Sequence, residues 1–235
     1  MNDIELFKAI EGEARKRWFP KLKVAPKSES KLMSAINWLF NLLKSAEHKD
    51  WFLNRFWTTI IYTILHPIQY VTATLRNWWT LLHELIHCFQ VKKWTPPVFS
   101  YLYLWPLSQG GLLALTCWLP VFWASGWKLA IWIPAWAIIG GLHFIPKLPD
   151  PWRAHWELQA YCVSMYTYNE MNGGIPDSYI EQLVANFTDM SYYQMASSPD
   201  RIRKKLVKIR DQILAGTHPV KDHEVIKLYH ELKAS

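Results

Sequence analysis

Residues 81–90 read LLHELIHCFQ, placing two histidines four apart with a glutamate directly after the first. On an α-helix, positions i and i+4 share a face about 40° apart, so His83 and His87 can turn their imidazoles to one point. By the same geometry Glu84 lies about 100° around from His83, near enough to reach a water held there without itself binding a metal. Leu85 and Ile86 point away and seat the helix in an apolar core. These residue types suit Zn2+, which takes neutral imidazole ligands, lowers the pKa of a water it holds to ~7 and polarises a carbonyl. Two histidines on an apolar helix also occur as hydrogen-bonded core residues, so a fitting partner elsewhere in the chain matters.

A catalytic zinc takes three protein ligands and keeps one position open. The best further donor lies in PWRAHWELQAY, residues 151–161. Glu157 falls on a predicted helix, one turn after Arg153 and one turn before Ala160 and Tyr161. The small Ala160 permits close approach to the first helix. A carboxylate between Trp156 and Leu158 is costly unless it ligates or is paired, and a salt bridge to Arg153 is the alternative to ligation. His155 is the rival ligand, on the opposite side of the helix. Tyr161, Arg153, Tyr192 and Tyr193 are candidate donors to a developing oxyanion. Cys88 is expected as a buried small residue, and His218, His223 and His230 as surface residues of a polar tail.

Outward from these motifs the 235 residues divide into four segments. Residues 1–30 form a basic N-terminal segment: an amphipathic helix over 2–17, then a linker, FPKLKVAPKSES, over 19–30. Residues 31–108 form a helical region. Its pattern starts with Leu32, Ile36, Leu39, Phe40 and Leu43, continues as an interfacial or core helix over 51–65, and reaches the motif on a helix over about 68–91. An extended segment is expected over 94–107. Residues 109–147 form a hydrophobic hairpin with arms 111–124 and 129–145, interrupted by Pro120 and Pro134. Two short transmembrane helices, a re-entrant hairpin and a buried hairpin all fit that stretch. Residues 148–235 are predicted as helices over 152–171, 177–188, Ser198 to near Gly216, and 220–233.

The chain carries a formal charge of +7 and 15 tryptophans, which cluster between Trp78 and Trp156. Tryptophan beside long apolar runs points to a membrane interface. The basic stretches from Arg15 to Lys27 and from Arg201 to Arg210 then face anionic lipid, and without a nucleic-acid module no nucleic acid is expected. Three cysteines make no closed disulfide framework, and the acidic N-terminus is no secretory signal, so the catalytic part is expected to face the cytoplasm.

HELIHCFQ, followed by VFSYLYLWP and later WRAHWELQAY, resembles the gluzincin-type metallopeptidases, with HExxH on one helix and a Glu, three residues before an Ala, on a second. More loosely, the chain resembles phage- and bacterium-encoded proteins that carry an apolar insert between these motifs and a later aromatic stretch like FTDMSYYQM, 187–195. The resemblance covers roughly residues 70–215. It implies a mainly α, zincin-like helical core with an HExxH helix and a Glu-bearing second helix, plus the hydrophobic hairpin. It also implies His83, His87 and Glu157 as zinc ligands, Glu84 as general base, and a peptide or protein substrate. The expectation is a membrane-associated zinc metallopeptidase, of phage-encoded kind. The alternatives are a non-enzymatic membrane or virion component with a structural or vestigial metal site, and a soluble cytoplasmic peptidase. The sequence does not fix an oligomeric state.

Overall fold

A computed structural model describes residues 1–34, 37–38, 57–67, 77–103, 150–189 and 195–235. These are mainly helical, with one small three-stranded sheet. In chain order the elements are α1 (Asp3–Arg17), β1 (Lys23–Pro26), β2 (Thr58–Ile60), β3 (Thr63–His66), α2 (Trp78–Trp94), α3 (Pro96–Tyr103), α4 (Pro151–Asn172), α5 (Asp177–Thr188), α6 (Pro199–Leu214) and α7 (Glu224–Ala234). They form two compact units: Met1–Lys93 with Ala160–Thr167 and Pro219–Ser235, and Trp94–Gln159 with Tyr168–His218. The single unbroken helix α4 contributes to both.

In the first unit α1 begins with a capping box. Asn2 Oδ1 accepts from the Ile4 and Glu5 backbone N–H groups at 3.0 Å each, and Glu5 Oε2 accepts from the Asn2 N–H at 2.9 Å. Arg15, Lys16 and Arg17 close the helix where its dipole favours cations. Its apolar face buries Leu6, Phe7, Ile10 and Ala14. Trp78 starts α2; its indole donates to Asp3 Oδ1 at 3.2 Å and stacks on Tyr229 of α7 at 4.7 Å. That contact fixes the first turn of the motif helix against both chain termini.

The sheet runs β1-β3-β2, with β1 parallel and β2 antiparallel to β3. Val24 pairs with Ile64, and Ile64 with Thr59. It corrects two sequence expectations. The apolar stretch read as a helix over 51–65 is a hairpin from Thr58 to His66, its earlier residues 51–56 lying outside the described ones. Six of the nine residues from Thr58 to His66 are β-branched, which suits a pleated surface better than a helix. The 19–30 linker forms β1 and a 3-10 turn, Lys27–Glu29, because Phe19, Leu22, Ala25 and Lys27 are buried. Pro26 ends β1 on an edge strand, where no ladder donor is needed. At the hairpin turn Ile61 sits at φ 58, a strained position for a β-branched residue.

Of the helix expected over 68–91, the described part runs Trp78–Trp94, and residues 68–76 lie outside the described ones. The extended segment expected over 94–107 is instead α3; its last residues, 104–107, lie outside. Thr95, at φ 66, ends α2 and its carbonyl accepts from the Phe99 N–H at 3.0 Å to start α3. Pro96 and Pro97 occupy the first turn, where a missing N–H costs nothing.

In the second unit Phe99 and Tyr103 of α3 pack on the buried Trp156 of α4, with ring centroids at 4.7 and 6.3 Å. Trp94 and Trp152 lie against the same ring with centroids at 6.4 and 6.3 Å while staying 40% and 41% exposed, so of these three tryptophans Trp156 is the core residue. Gly173, at φ 70, caps α4 in the left-handed conformation that a residue without Cβ adopts freely. Helices α5 and α6 pack on each other, α5 burying Ile180, Leu183, Val184 and Phe187 and α6 burying Ile202, Leu206 and Ile213.

The expectation of membrane association, with a catalytic part facing the cytoplasm, is also corrected. Among the described residues no helix is long and apolar enough to cross a membrane. A crossing needs ~20 apolar residues; α2 has 17, and the 22 of α4 include Arg153, His155, Glu157 and Glu170. The hairpin expected over 109–147 lies outside the described residues.

Candidate metal centre

Helix α2 is buried along nearly its whole length, so the polar groups of HELIHCFQ need partners inside the protein. His83 and His87 lie with ring centroids 5.2 Å apart. The His83 Nδ1 is 3.0 Å from Ser164 Oγ, and the His87 Nδ1 is 2.9 Å from Gln90 Oε1. With the Gln90 carbonyl oxygen opposite its Nδ1, the His87 ring would present Nε2 to a metal ion. Anchoring one ring nitrogen on a protein group is how metal-binding imidazoles are oriented.

Glu157 arrives on α4. That helix starts at Asp150, whose Oδ1 accepts from the Arg153 N–H at 2.9 Å, with Pro151 in the first turn. Burial pushes the Asp150 carboxyl up to about 7. Glu157, Ala160, Tyr161 and Ser164 follow at i, i+3, i+4 and i+7, one stripe of the helix. Ala160 is fully buried, and the Tyr161 ring meets His83 edge-on at 4.9 Å. Tyr103 of α3 donates to Glu157 Oε1 at 2.5 Å, and Arg153 Nε stands 3.9 Å from the same oxygen while its guanidinium covers the Tyr103 ring.

One ligand atom from each of His83, His87 and Glu157 lies within 4.8 Å of the others, and their residues are 9%, 4% and 4% exposed. Two imidazole nitrogens and one carboxylate are a donor set that suits a divalent ion. A tetrahedral ion with bonds of about 2.0–2.1 Å needs donors about 3.3 Å apart, a short closure from this spacing. The residues present fit a divalent ion.

Glu84 is outside that triplet, as its place on the helix predicts, and it is buried. Thr59 of β2 donates to its Oε2 at 2.6 Å. Lys27, 0% exposed, lies in the field of the same carboxylate, while burial lowers its amine to about 8. His155, the rival ligand, is exposed and lies 3.0 Å from Gln159 Nε2, outside the triplet. Cys88 is buried as expected, and burial, with Glu84 beside it, pushes its thiol up. Tyr192 and Tyr193 lie outside the described residues. His223, expected at the surface, caps α7 by accepting from the Val225 N–H at 3.2 Å and packs on Phe89 at 5.3 Å.

Sequence reasoning missed five residues around the triplet: Gln90, Ser164, Tyr103, Thr59 and Lys27. Two carried a readable signal. Gln90 is a polar residue three after His87 on an apolar helix, and Ser164 sits seven after Glu157 on the ligand stripe. The other three are brought in by the sheet and by α3, neither of which was foreseen there. Comparison of the chain with protein-family models, curated proteins and solved structures found no match.

Proposed function

We propose that this chain is a zinc-dependent metallopeptidase of the gluzincin type, built on a zincin-like helical core and acting on a peptide or protein substrate. The observation that carries the reading is the buried convergence of His83, His87 and Glu157 with a second carboxylate, Glu84, adjacent to the first ligand and not among the three. A zinc ion held by His83, His87 and Glu157 would supply Lewis acidity toward the scissile carbonyl. Glu84 takes a proton from the attacking water and returns it to the leaving amine. Tyr161, beside His83, is the donor assigned to the oxyanion. Arg153 is engaged with Glu157 and the Tyr103 ring, so it holds the ligand carboxylate rather than the substrate.

Glu84→Gln keeps the shape and removes the base. Hydrolysis of a peptide library is expected to fall by about 10²–10⁴-fold, with zinc content by metal analysis unchanged. Wild-type activity in that variant refutes the role of Glu84. A structural metal site is the second reading, favoured by the depth at which all three ligands are buried. Stoichiometric zinc in a wild-type chain that cleaves nothing in the library selects it.

A further inference from the structure

Glu84 projects from a helix, yet its carboxylate is held by a hydroxyl from the sheet. Thr59 is in β2, paired with Ile64, which pairs in turn with Val24; the three share one face of the sheet. From that face the Thr59 hydroxyl reaches Glu84 Oε2 at 2.6 Å, a short charge-assisted bond. Lys27 directly follows β1. Because Pro26 pairs with His66 and Thr58 with Leu65, the end of β1 and the start of β2 meet at the same end of β3. The Lys27 residue is 0% exposed, and a lysine is almost never fully buried without a compensating anion. Glu84 raises its affinity for a proton against the burial that lowers it.

We propose that the three-stranded sheet is a positioning frame for Glu84, in which Thr59 holds one carboxylate oxygen and Lys27 supplies the facing positive charge, so that the other oxygen is presented to the substrate water. The inference rests on the reading of Glu84 as the base. Thr59 and Lys27 are positioning residues that act through Glu84. A glutamate side chain has three rotatable bonds, and a base must be held within about 0.5 Å of its productive place. Helix α2 fixes only the Cα; the frame fixes the carboxylate.

The test uses the full chain loaded with zinc for kinetics and with cobalt(II) for absorption spectra, in Thr59→Val, Thr59→Ser, Lys27→Met, Lys27→Gln and Glu84→Gln. Thr59→Val is expected to lower kcat ten- to a hundredfold with KM and metal content unchanged. Thr59→Ser, which keeps the hydroxyl, returns kcat to within threefold of wild type. Lys27→Met, or Lys27→Gln if the former does not fold, lowers kcat about tenfold at unchanged KM. Their cobalt spectra shift toward that of Glu84→Gln, and Thr59→Val adds no further change in the Glu84→Gln background. Unchanged kcat and unchanged spectra in the Thr59→Val and Lys27 variants overturn the proposal. If Glu84→Gln remains active, or the wild type cleaves nothing, the peptidase reading has failed instead. The frame is then judged on unfolding: effects of Thr59→Val and Glu84→Gln that multiply independently overturn it, and a departure of fivefold or more in the unfolding constant supports it.

Discussion

On α5 and α6, Arg203 reaches Glu181 at 2.6 and 2.8 Å and Arg210 reaches Asp177 at 2.5 Å, with the Arg203 and Glu181 side chains 39% and 52% exposed. Around α2 and α4 the polar contacts have similar lengths: Tyr103 to Glu157 at 2.5 Å, Thr59 to Glu84 at 2.6 Å, Gln90 to His87 at 2.9 Å. On distance alone the two regions look alike. Their surroundings separate them. In the exposed pair water replaces a lost partner, so each bond contributes little. In the buried group a lost partner leaves a desolvated atom with nothing in its place, and the cost is the full desolvation penalty of that atom. Near-identical geometry thus adds little to an apolar helix pair in one region and orients buried polar side chains in the other.

Substitutions can break that contrast. The largest effect is expected from Gln90→Leu, which removes the anchor of the His87 ring at similar volume. Zinc affinity should fall about 10–100-fold in a competition titration with a chelator. Tyr103→Phe removes one hydroxyl from Glu157 Oε1 and should cost about 1–3 kcal/mol in denaturant unfolding of the metal-free chain. Equal stability of the two proteins would place Glu157 with the exposed pairs.

A pH-dependent effect is expected from Asp150. Its folded pKa is raised from 3.8 to about 7 by burial, so the fold favours the neutral acid. The associated stability is fully present below pH 3.8 and is lost as pH rises through about 7. Asp150→Asn keeps a capping oxygen and cannot ionise. Its melting temperature should change less between pH 4 and 8 than that of the wild type, and exceed it at pH 8. The smallest effect is expected from Arg203→Ala: its unfolding midpoint should stay at the wild-type value within measurement error, because its partners are open to water.

Local signals carried much of the helical fold. Helix α5 was read with the bounds it has, because Ile180, Leu183, Val184 and Phe187 recur at helical spacing, and α4 ends at Gly173 in the turn that NGGIPD announced. The sheet was not read. Thr58 to His66 is both apolar and β-branched, so its composition suits a buried helix while its branching suits a strand. For α3 the pair Pro96 and Pro97 signals an extended segment in the sequence, and only their place in a first turn makes them compatible with a helix.

What the sequence determined unaided is the direction of five side chains: i and i+4 on α2 set His83 beside His87, and one helical stripe carries Glu157, Ala160 and Tyr161 together. Helical periodicity is a local property, so a single chain segment suffices to state it. Only the tertiary structure decided which groups meet Glu157 and Glu84, since Tyr103, Thr59 and Lys27 lie 54, 25 and 57 positions away from those carboxylates. Those meetings depend on how elements pack around a shared core, and no pattern within one segment encodes the position of another.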